Sequence, residues 1–413
     1  MIMKTFEHIL ALLKVSLNLG GKTDETIKEE LSAFVGEIDI REWHDIAHTA
    51  KRISVACLMY EVIQLIPEVP DGARKVIEKY SRSICRANYK LLILEMWIDR
   101  LLTEAGIPFC IMKGMSAAVD YPLPDLRKSR DIDILIAYPS DIERAVTEIE
   151  KMGFTREKKQ ASVHHVEMHD KKGLEIEIHT MMAIPFDNSV VNDRMEQLVS
   201  VSVVNAVRKK IMGADLPVLP DAVHVFELLL HMLQHFLRAG FGIKLLCDWV
   251  TVWNRGLSEE SCAVYMSLIE ECGVKGFSNM ITRVCIKYLG LKRENVLWMN
   301  PFDGDKTREE IEADTAAFME ELKDAGEFGD SSNRMVALRG NGLKDYIREF
   351  HHQMHLNFPK LGKVFIFWPI LWIITLVRFL VNNRKVRSVS ARELFKSAGK
   401  RADLVKRMKI FEE

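Results

Sequence analysis

The chain has 413 residues, enough for two or three domains, and its 48% apolar content is typical of a folded protein. Its 57 basic residues are balanced by 58 acidic residues, so no overall positive charge indicates binding to long nucleic acid. The seven cysteines lack paired zinc spacing and indicate reduced thiols in a cytoplasmic protein, and the start of the chain lacks the layout of a cleavable signal peptide.

Residues 1–104 and about 219–358 are predicted to be helical, because apolar residues recur there every three or four positions. Between them the spacing changes to that of short strands and helices. In chain order, this middle region is predicted to form strand 108–112, helix 114–120, strand 131–137, helix 141–152, and a hairpin of 163–169 and 174–180. We therefore expect an α+β fold in which a small mixed-sheet core is flanked by N-terminal and C-terminal helical regions.

Changes in composition and periodicity suggest four parts. They are an N-terminal helical region 1–104, an α/β core 105–212, a C-terminal helical region 213–360, and an apolar aromatic helix with a basic tail at 361–413.

The last of these parts has two interpretations. Residues 364–380 are apolar and aromatic, but their uncharged run ends at Val377 and is shorter than the roughly 20 residues of a membrane span. A basic segment follows, so that 364–409 together could attach to an anionic membrane surface at the inner membrane face. The alternative, which we favour, is a helix packed on the rest of the protein with a solvated basic end.

Two aspartates open the second predicted strand. Residues i and i+2 of a strand project to the same face, so Asp131 and Asp133 lie side by side while Ile132 and Ile134 face the core. Two adjacent carboxylates resist joint ionisation unless a cation lies between them. Carboxylate oxygens are hard ligands that suit Mg²⁺. The spacing therefore predicts a site for Mg²⁺ or Mn²⁺.

A two-metal nucleotidyl-transfer site needs a further carboxylate on the same sheet face. Glu177 has the required alternation on the strand 174–180, and it could also serve as a base. His179 shares its face, whereas Glu175 lies closer to the hairpin turn. His164, His165 and His169 are predicted to be surface residues of this hairpin.

The triphosphate needs cations and backbone N–H groups. Gly114 lies where the first strand turns into a helix, a position that suits phosphate. The residues predicted to bind the nucleotide are Lys113, Gly114, Ser116, Arg127 and Arg130. Taken singly, each fits an ordinary turn or a solvated loop, but their combination with the carboxylates favours a nucleotide site.

A second polar cluster lies in the helical region after residue 219. His231 and His235 are one turn apart on one helix face, and Lys244 and Asp248 follow, also four residues apart. These four residues could close over the nucleotide or acceptor, or form a buried polar network between helices. Zinc binding is a weaker alternative, because the glutamate of the metalloprotease motif is absent.

Three segments carry a resemblance to a known family: 109–114, 127–136 and 176–179. They resemble the uncharacterised nucleotidyltransferase family of bacteria and archaea, within the DNA polymerase beta-like superfamily. That family shows a strand ending in Lys-Gly, an arginine before Asp-x-Asp, and an acidic-x-His ending on a later strand. The resemblance implies that Asp131 and Asp133 are the metal pair, Glu177 the third carboxylate, and Lys113 with Gly114 the nucleotide-side turn.

The expected activity is therefore metal-dependent transfer of an NMP group from a nucleoside triphosphate to a hydroxyl, with release of pyrophosphate. The acceptor would be a protein, a sugar or another small molecule. One alternative is a non-catalytic nucleotide-binding or regulatory protein on the same fold. Another is a membrane-surface accessory of polysaccharide biosynthesis, which is compatible with catalysis. Fold alone does not decide between these functions.

Overall fold

The computed structural model describes residues 2–157, 165–238, 240–299, 306–323, 343–358, 361–386 and 403–411. The helices before the sheet are α1 (Ile2–Ser16), α2 (Asp24–Val35), α3 (Ile40–Arg52), α4 (Tyr60–Gln64) and α5 (Asp71–Glu104). Local signals explain their starts: Thr23 and Asp39 cap α2 and α3 by accepting hydrogen bonds from backbone N–H groups. The helical prediction for the N-terminal region is confirmed.

The central sheet is mixed. Its strands are β1 (Phe109–Met112), β2 (Ile132–Ile136), β3 (Thr155–Arg156), β4 (His165–His169), β5 (Glu175–His179), β6 (Val207–Ile211) and β7 (Ala214–Val218). Their spatial order is β3-β4-β5-β2-β1-β7-β6. β2 runs antiparallel to β1 and parallel to β5, and β1 runs parallel to β7. The helices α6 (Gly114–Ala118), α7 (Ile142–Glu150) and α8 (Ser189–Val204) connect these strands.

Helices predominate again after the sheet. They are α9 (Asp221–Arg238), α10 (Ile243–Arg255), α11 (Glu259–Glu271), α12 (Lys275–Leu289), α13 (Arg308–Lys323), α14 (Leu343–Asn357) and α15 (Trp368–Val386). The fold is thus the expected α+β arrangement of a mixed-sheet core between helical regions. The sheet continues to Val218, beyond residue 212, where the α/β core was predicted to end. The division of the chain into domains remains a prediction.

Strand alternation gives the sheet two different faces. On one face Ile132, Ile134 and Ile176 pack into an apolar core with side chains of α5 and α7. On the opposite face Leu135 and Met112 pack with side chains of α8. Asp133 has the same parity as Leu135, so its carboxylate lies on this second face. The alternation of the sequence therefore decides which helices surround the carboxylates.

The C-terminal segment 403–411 returns to the main helical core. Val405 and Met408 are buried within it, and the Phe411 N–H donates to the Gly273 carbonyl at 2.7 Å. Gly276 of α12 allows this approach, because a Cβ atom there would lie 1.9 Å from the Met408 carbonyl oxygen.

Helix α15 packs mainly on α14 and leaves much of its apolar surface exposed. Leu371 is buried, whereas Ile370, Ile373 and Val377 are each more than half exposed. An Arg348–Asp187 ion pair connects α14 to the rest of the protein. Within the described parts of the chain, no helix combines the length and apolarity needed to cross a membrane. The favoured expectation of a helix packed on the rest of the protein therefore holds for only one side of α15.

Candidate active site

The turn between β1 and α6 has an unusual backbone. Lys113 adopts φ = 51°, in the region that favours glycine, and Gly114 begins α6. The Ser116 hydroxyl donates to the Lys113 carbonyl at 2.8 Å, so this predicted nucleotide ligand is held inside the turn. Helix α6 has only five residues, so any attraction of phosphate to this turn depends mainly on the Lys113 ammonium.

The turn directs Lys113 onto the carboxylates. Asp133 of β2 lies next to Glu177 of β5 in the parallel pairing and opposite Met112 of β1. Lys113 Nζ donates to Asp133 Oδ1 at 2.8 Å. His179 Nε2 lies 2.8 Å from the same oxygen and 3.0 Å from Glu177 Oε2. The structure thus brings together four of the predicted site residues.

Asp131 precedes β2 and is half-buried beside this group. Burial raises the pKa of Asp131 to about 6, and the charges of Asp133 and Glu177 add to the effect. Burial also acts to raise the pKa of Asp133, but the Lys113 ammonium and His179 hold that pKa below its usual range. Asp131 therefore carries the negative charge that the neighbouring cations compensate least.

The chemistry of these side chains suits a divalent cation. Asp131, Asp133 and Glu177 offer hard oxygen ligands, and ligand atoms of Glu177, His165 and His179 lie within 4.8 Å of one another. A cation between the carboxylates would relieve the repulsion that adds to the effect of burial on the pKa of Asp131. The assignment of Asp131, Asp133 and Glu177 as the ligands of such an ion remains a prediction.

His165 differs from its prediction as a surface residue. It is half-buried, its ring centroid lies 5.2 Å from that of His179, and its Nε2 lies 2.9 Å from Glu167 Oε1. The register explains this, because His165 pairs with His179 across the β4–β5 hairpin. His169 is also half-buried, and His164 lies outside the described residues.

Arg127 is buried beneath the site and faces α10. Its Nε and Nη2 each donate to an Asp248 carboxylate oxygen at 2.7 Å, and its Nη1 donates to the Gly114 carbonyl at 2.7 Å. The Tyr121 hydroxyl donates to the same aspartate at 2.6 Å. Burial acts to raise the pKa of Asp248, but Arg127 holds that pKa below its usual range. Arg127 thus fixes the Gly114 turn to the C-terminal helices.

Further contacts fix the loop that carries Asp131. Lys244 Nζ donates to the Lys128 carbonyl at 3.0 Å. From α5, the Asn88 side-chain amide donates to the Arg127 carbonyl at 2.8 Å. The loop before β2 is therefore held by helices on two sides, which the sequence did not indicate.

Helix α9 places three titratable side chains near the carboxylates. The rings of His231 and His235 have centroids 4.6 Å apart, and burial lowers the pKa of His231 well below its usual range, with His235 and Lys113 adding to the effect. Glu227 is fully buried, and its carboxylate oxygens have no hydrogen-bond partner among the described residues. Burial raises the pKa of Glu227 to about 8, although Lys113 opposes this.

Glu227 was missed in the sequence, although a signal exists. It is the acidic residue in an apolar stretch and lies four residues before His231, so both share a helix face. Of the predicted nucleotide ligands, Arg130 is different, because it is exposed and lines a cleft outside the cluster around Lys113.

The mixed sheet of this chain thus gathers carboxylates beside a lysine-bearing turn. A family model described as uncharacterised nucleotidyltransferase matches residues 39–290. This match covers more than half of the chain, and the chain belongs to that family.

Solved structures with similar features include two nucleotidyltransferase-like proteins. An antigenic nucleotidyltransferase-like protein from Paracoccidioides brasiliensis is 13% identical, with 48% of this chain and 92% of that chain covered and a TM-score of 0.30. The lincosamide antibiotic adenylyltransferase LnuA, bound to lincomycin, is 12% identical, with coverage of 41% and 90% and a TM-score of 0.22. No curated protein matches the chain. Because both TM-scores are low, the family assignment rests on the sequence match.

Proposed function

We propose that this protein catalyses metal-dependent transfer of an NMP group from a nucleoside triphosphate to an acceptor hydroxyl. The observation that carries the proposal is the grouping of Asp133 and Glu177 at Lys113, with Asp131 close enough for their charges to act on it, in a chain of this family. A bound divalent ion, Mg²⁺ or Mn²⁺, would supply charge neutralisation at the phosphates and activation of the attacking oxygen.

The reaction balances without another reactant. The acceptor oxygen forms a bond to the α-phosphorus, the bond from that phosphorus to the α–β bridging oxygen breaks, and pyrophosphate leaves. The hydroxyl proton passes to a carboxylate of the site. Glu177 fits this role, because it is more exposed than Asp133, with 22% against 6% of its side chain accessible.

The protein's own residues contribute position and charge. Lys113 places a cation beside the metal carboxylates. Arg127 positions the Gly114 turn through Asp248. His179 orients Asp133 and Glu177 by contacting both. This division assigns Arg127 a positioning role, and leaves Lys113 and Arg130 as the proposed phosphate contacts.

The test is calorimetric titration of ATP, CTP, GTP and UTP with Mg²⁺ into wild type and an Asp131→Asn/Asp133→Asn variant. We expect metal-dependent binding of at least one nucleotide to wild type and at least a tenfold loss in the variant, since both metal carboxylates are neutralised. Glu104→Gln, at an exposed surface pair, is the control and should bind like wild type. A folded wild type that binds no nucleotide with Mg²⁺ would refute the proposal.

A non-catalytic nucleotide-binding protein would give the same calorimetry. The two functions separate in a pyrophosphate-release assay with candidate acceptors of the protein, sugar and small-molecule classes. Nucleotide binding without release for any acceptor would favour the regulatory alternative.

We also propose that α15 contacts a membrane surface at the cytoplasmic face. The supporting observation is its exposed apolar side, which includes Ile370, Ile373 and Val377, next to the basic segment that follows. Changing these three residues to glutamate should abolish co-sedimentation with anionic phospholipid vesicles.

The matched control replaces three exposed apolar residues elsewhere, Ile40, Val201 and Leu297, with glutamate and should leave sedimentation unchanged. A wild type that stays in the supernatant at low salt would exclude this attachment.

A further inference from the structure

A cleft of about 1140 Å³ opens beside the carboxylates. One wall is α5, and the other walls are the loop 128–131 and the hairpin turn 173–175. Asp131 lines this cleft, so the cleft leads from the protein surface directly to a proposed metal ligand. A substrate lying in it would therefore reach the site of group transfer.

The α5 wall is strongly basic. Its cations recur at three- and four-residue spacing, which puts them on one helix face: Lys75, Lys79, Arg82, Arg86 and Lys90. The row extends about 22 Å along the helix axis, at 1.5 Å per residue. The overall charge balance of the chain conceals this local concentration.

Most of these cations are not neutralised by the protein. Arg82 pairs with Glu78. By contrast, Lys75, Lys79, Arg86 and Lys90 are exposed, and no carboxylate of the described residues pairs with them. Adjacent like charges on a helix repel each other and destabilise it slightly. An unneutralised row of this length is therefore better explained by an anionic ligand than by stability.

Next to Lys90, just outside the residues that line the cleft, the exposed surface of α5 becomes aromatic and apolar. Tyr89 is 47% exposed and Trp97 is 54% exposed, and Ile93 lies between them at 55%. A basic groove that continues into exposed aromatic side chains is the combination by which proteins hold single-stranded nucleic acid, through phosphate contacts and base stacking. Inorganic polyphosphate would use the cations but not the aromatic rings.

We propose that the α5 cleft binds a single-stranded nucleic-acid segment, whose terminal hydroxyl is presented to Asp131 as the acceptor. This inference rests on the proposed function for the acceptor role, whereas binding itself can be tested separately. The phosphates lie along Lys75 to Lys90, and bases stack on Tyr89 or Trp97. The phosphates of the nucleic-acid segment itself stay away from the acidic end of the cleft, because Asp131 and Glu175 line it.

Fluorescence anisotropy with a labelled single-stranded oligonucleotide of about 12 nucleotides tests the cleft. We expect Lys79→Glu/Arg86→Glu/Lys90→Glu to weaken binding at least tenfold. The slope of the logarithm of the binding constant against the logarithm of the salt concentration should decrease in magnitude by about 2, because each of the three lost phosphate contacts contributes about 0.7. The control Lys28→Glu/Lys292→Glu/Arg293→Glu makes the same charge change at exposed residues outside the cleft and should bind within about twofold of wild type.

Aromatic stacking is tested by Trp97→Ala and Tyr89→Ala, which leave the charge unchanged. Their double variant should weaken oligonucleotide binding by tenfold or more and leave binding of inorganic polyphosphate unaltered. Polyphosphate that competes as well as the oligonucleotide, with no effect of the aromatic variants, would overturn the nucleic-acid assignment. A wild type that does not bind the oligonucleotide at low salt would overturn the proposal entirely.

The two proposals fail in distinguishable ways. The charge-reversal variant should bind Mg²⁺ and nucleotide like wild type. Asp131→Asn/Asp133→Asn should lose nucleotide binding but bind the oligonucleotide at least as tightly as wild type, because it removes negative charge from the cleft. Oligonucleotide binding without any nucleotide binding would refute the transfer function and the acceptor role together. Incorporation of labelled NMP into the oligonucleotide by wild type, and its loss in the charge-reversal variant, would support the acceptor assignment directly.

Discussion

Replacing Asp248 with alanine tests whether one buried ion pair holds the candidate site together. The carboxylate of Asp248 accepts two hydrogen bonds from Arg127 and one from Tyr121, all between 2.6 and 2.7 Å. Only 1% of the Asp248 side chain and 4% of the Arg127 side chain are exposed. The substitution therefore leaves a guanidinium and a phenol buried without their acceptor.

The expected loss follows from these contacts. Removing one partner of a buried ion pair costs about 3–5 kcal/mol, because the remaining charge stays desolvated. The lost Tyr121 hydrogen bond adds about 1 kcal/mol. We thus expect Asp248→Ala to lower the free energy of unfolding by about 4–6 kcal/mol, a large part of a typical total of about 5–15 kcal/mol.

Urea denaturation followed by tryptophan fluorescence measures this change. Glu104→Ala is the control, since its pair with Arg100 is exposed at 61% and 66% and should contribute less than about 1 kcal/mol. The double variant Arg127→Met/Asp248→Leu should be clearly more stable than Asp248→Ala, because it removes both buried charges. A loss below about 1 kcal/mol for Asp248→Ala would refute the reasoning.

The pair also predicts the sign of a pH effect. Because Arg127 holds the pKa of Asp248 below its usual range, the folded state binds fewer protons at this group than the unfolded state. The stabilisation is therefore present above the unfolded pKa of about 3.9 and is lost as pH falls through the lower folded value. Wild type should therefore lose unfolding free energy relative to Arg127→Met/Asp248→Leu as the pH falls below about 4.

Three other substitutions have definite expected outcomes. Burial raises the pKa of Glu227 from 4.5 to about 8. As the pH rises between these values, the unfolding free energy of wild type should therefore fall by several kcal/mol relative to that of Glu227→Gln, measured by urea denaturation. Parallel pH profiles for the two proteins would contradict this. Gly276→Ala places a Cβ 1.9 Å from the Met408 carbonyl oxygen. It should lower the unfolding free energy by about 2 kcal/mol or more and speed proteolysis of residues 403–411. An unchanged cleavage rate would contradict the contact. Lys113→Met removes the cation on Asp133 and should weaken calorimetric Mg²⁺–nucleotide binding at least tenfold, whereas equal affinity would exclude a phosphate role.

The periodicity of apolar residues was sufficient to predict the fold class and to predict which residues of part of the candidate site lie together. Alternation within five-residue strands put Asp133, Glu177 and His179 on one face, and the structure places them in contact. The assignment of these residues as metal ligands stays a prediction. The helical regions could be predicted equally well, because the spacing of their apolar residues is a property of neighbouring positions in the sequence.

Contacts between residues far apart in the sequence could not be predicted from it. Arg127 and Asp248 are 121 positions apart, and nothing near either residue indicates the other. The hairpin of β6 and β7 was missed because Arg208, Lys209 and Lys210 interrupt apolar alternation on an edge strand, and Pro217 lies in its neighbour. The basic face of α5 was overlooked for a different reason, since total charge averages over the whole chain.

The packing of residues 403–411 changes how the end of the chain can be manipulated. Leu404, Val405, Met408 and Ile410 are each less than 10% exposed in the main core. At about 1.5–3 kcal/mol for each buried side chain, they contribute roughly 6–12 kcal/mol before the entropy of ordering is subtracted. A truncation that ends the chain before α15 would also remove this part of the core. If such a truncated protein did not bind to membranes, the cause would be unfolding and not the loss of α15. Attachment through α15 must therefore be examined by point substitutions that leave the last residues in place.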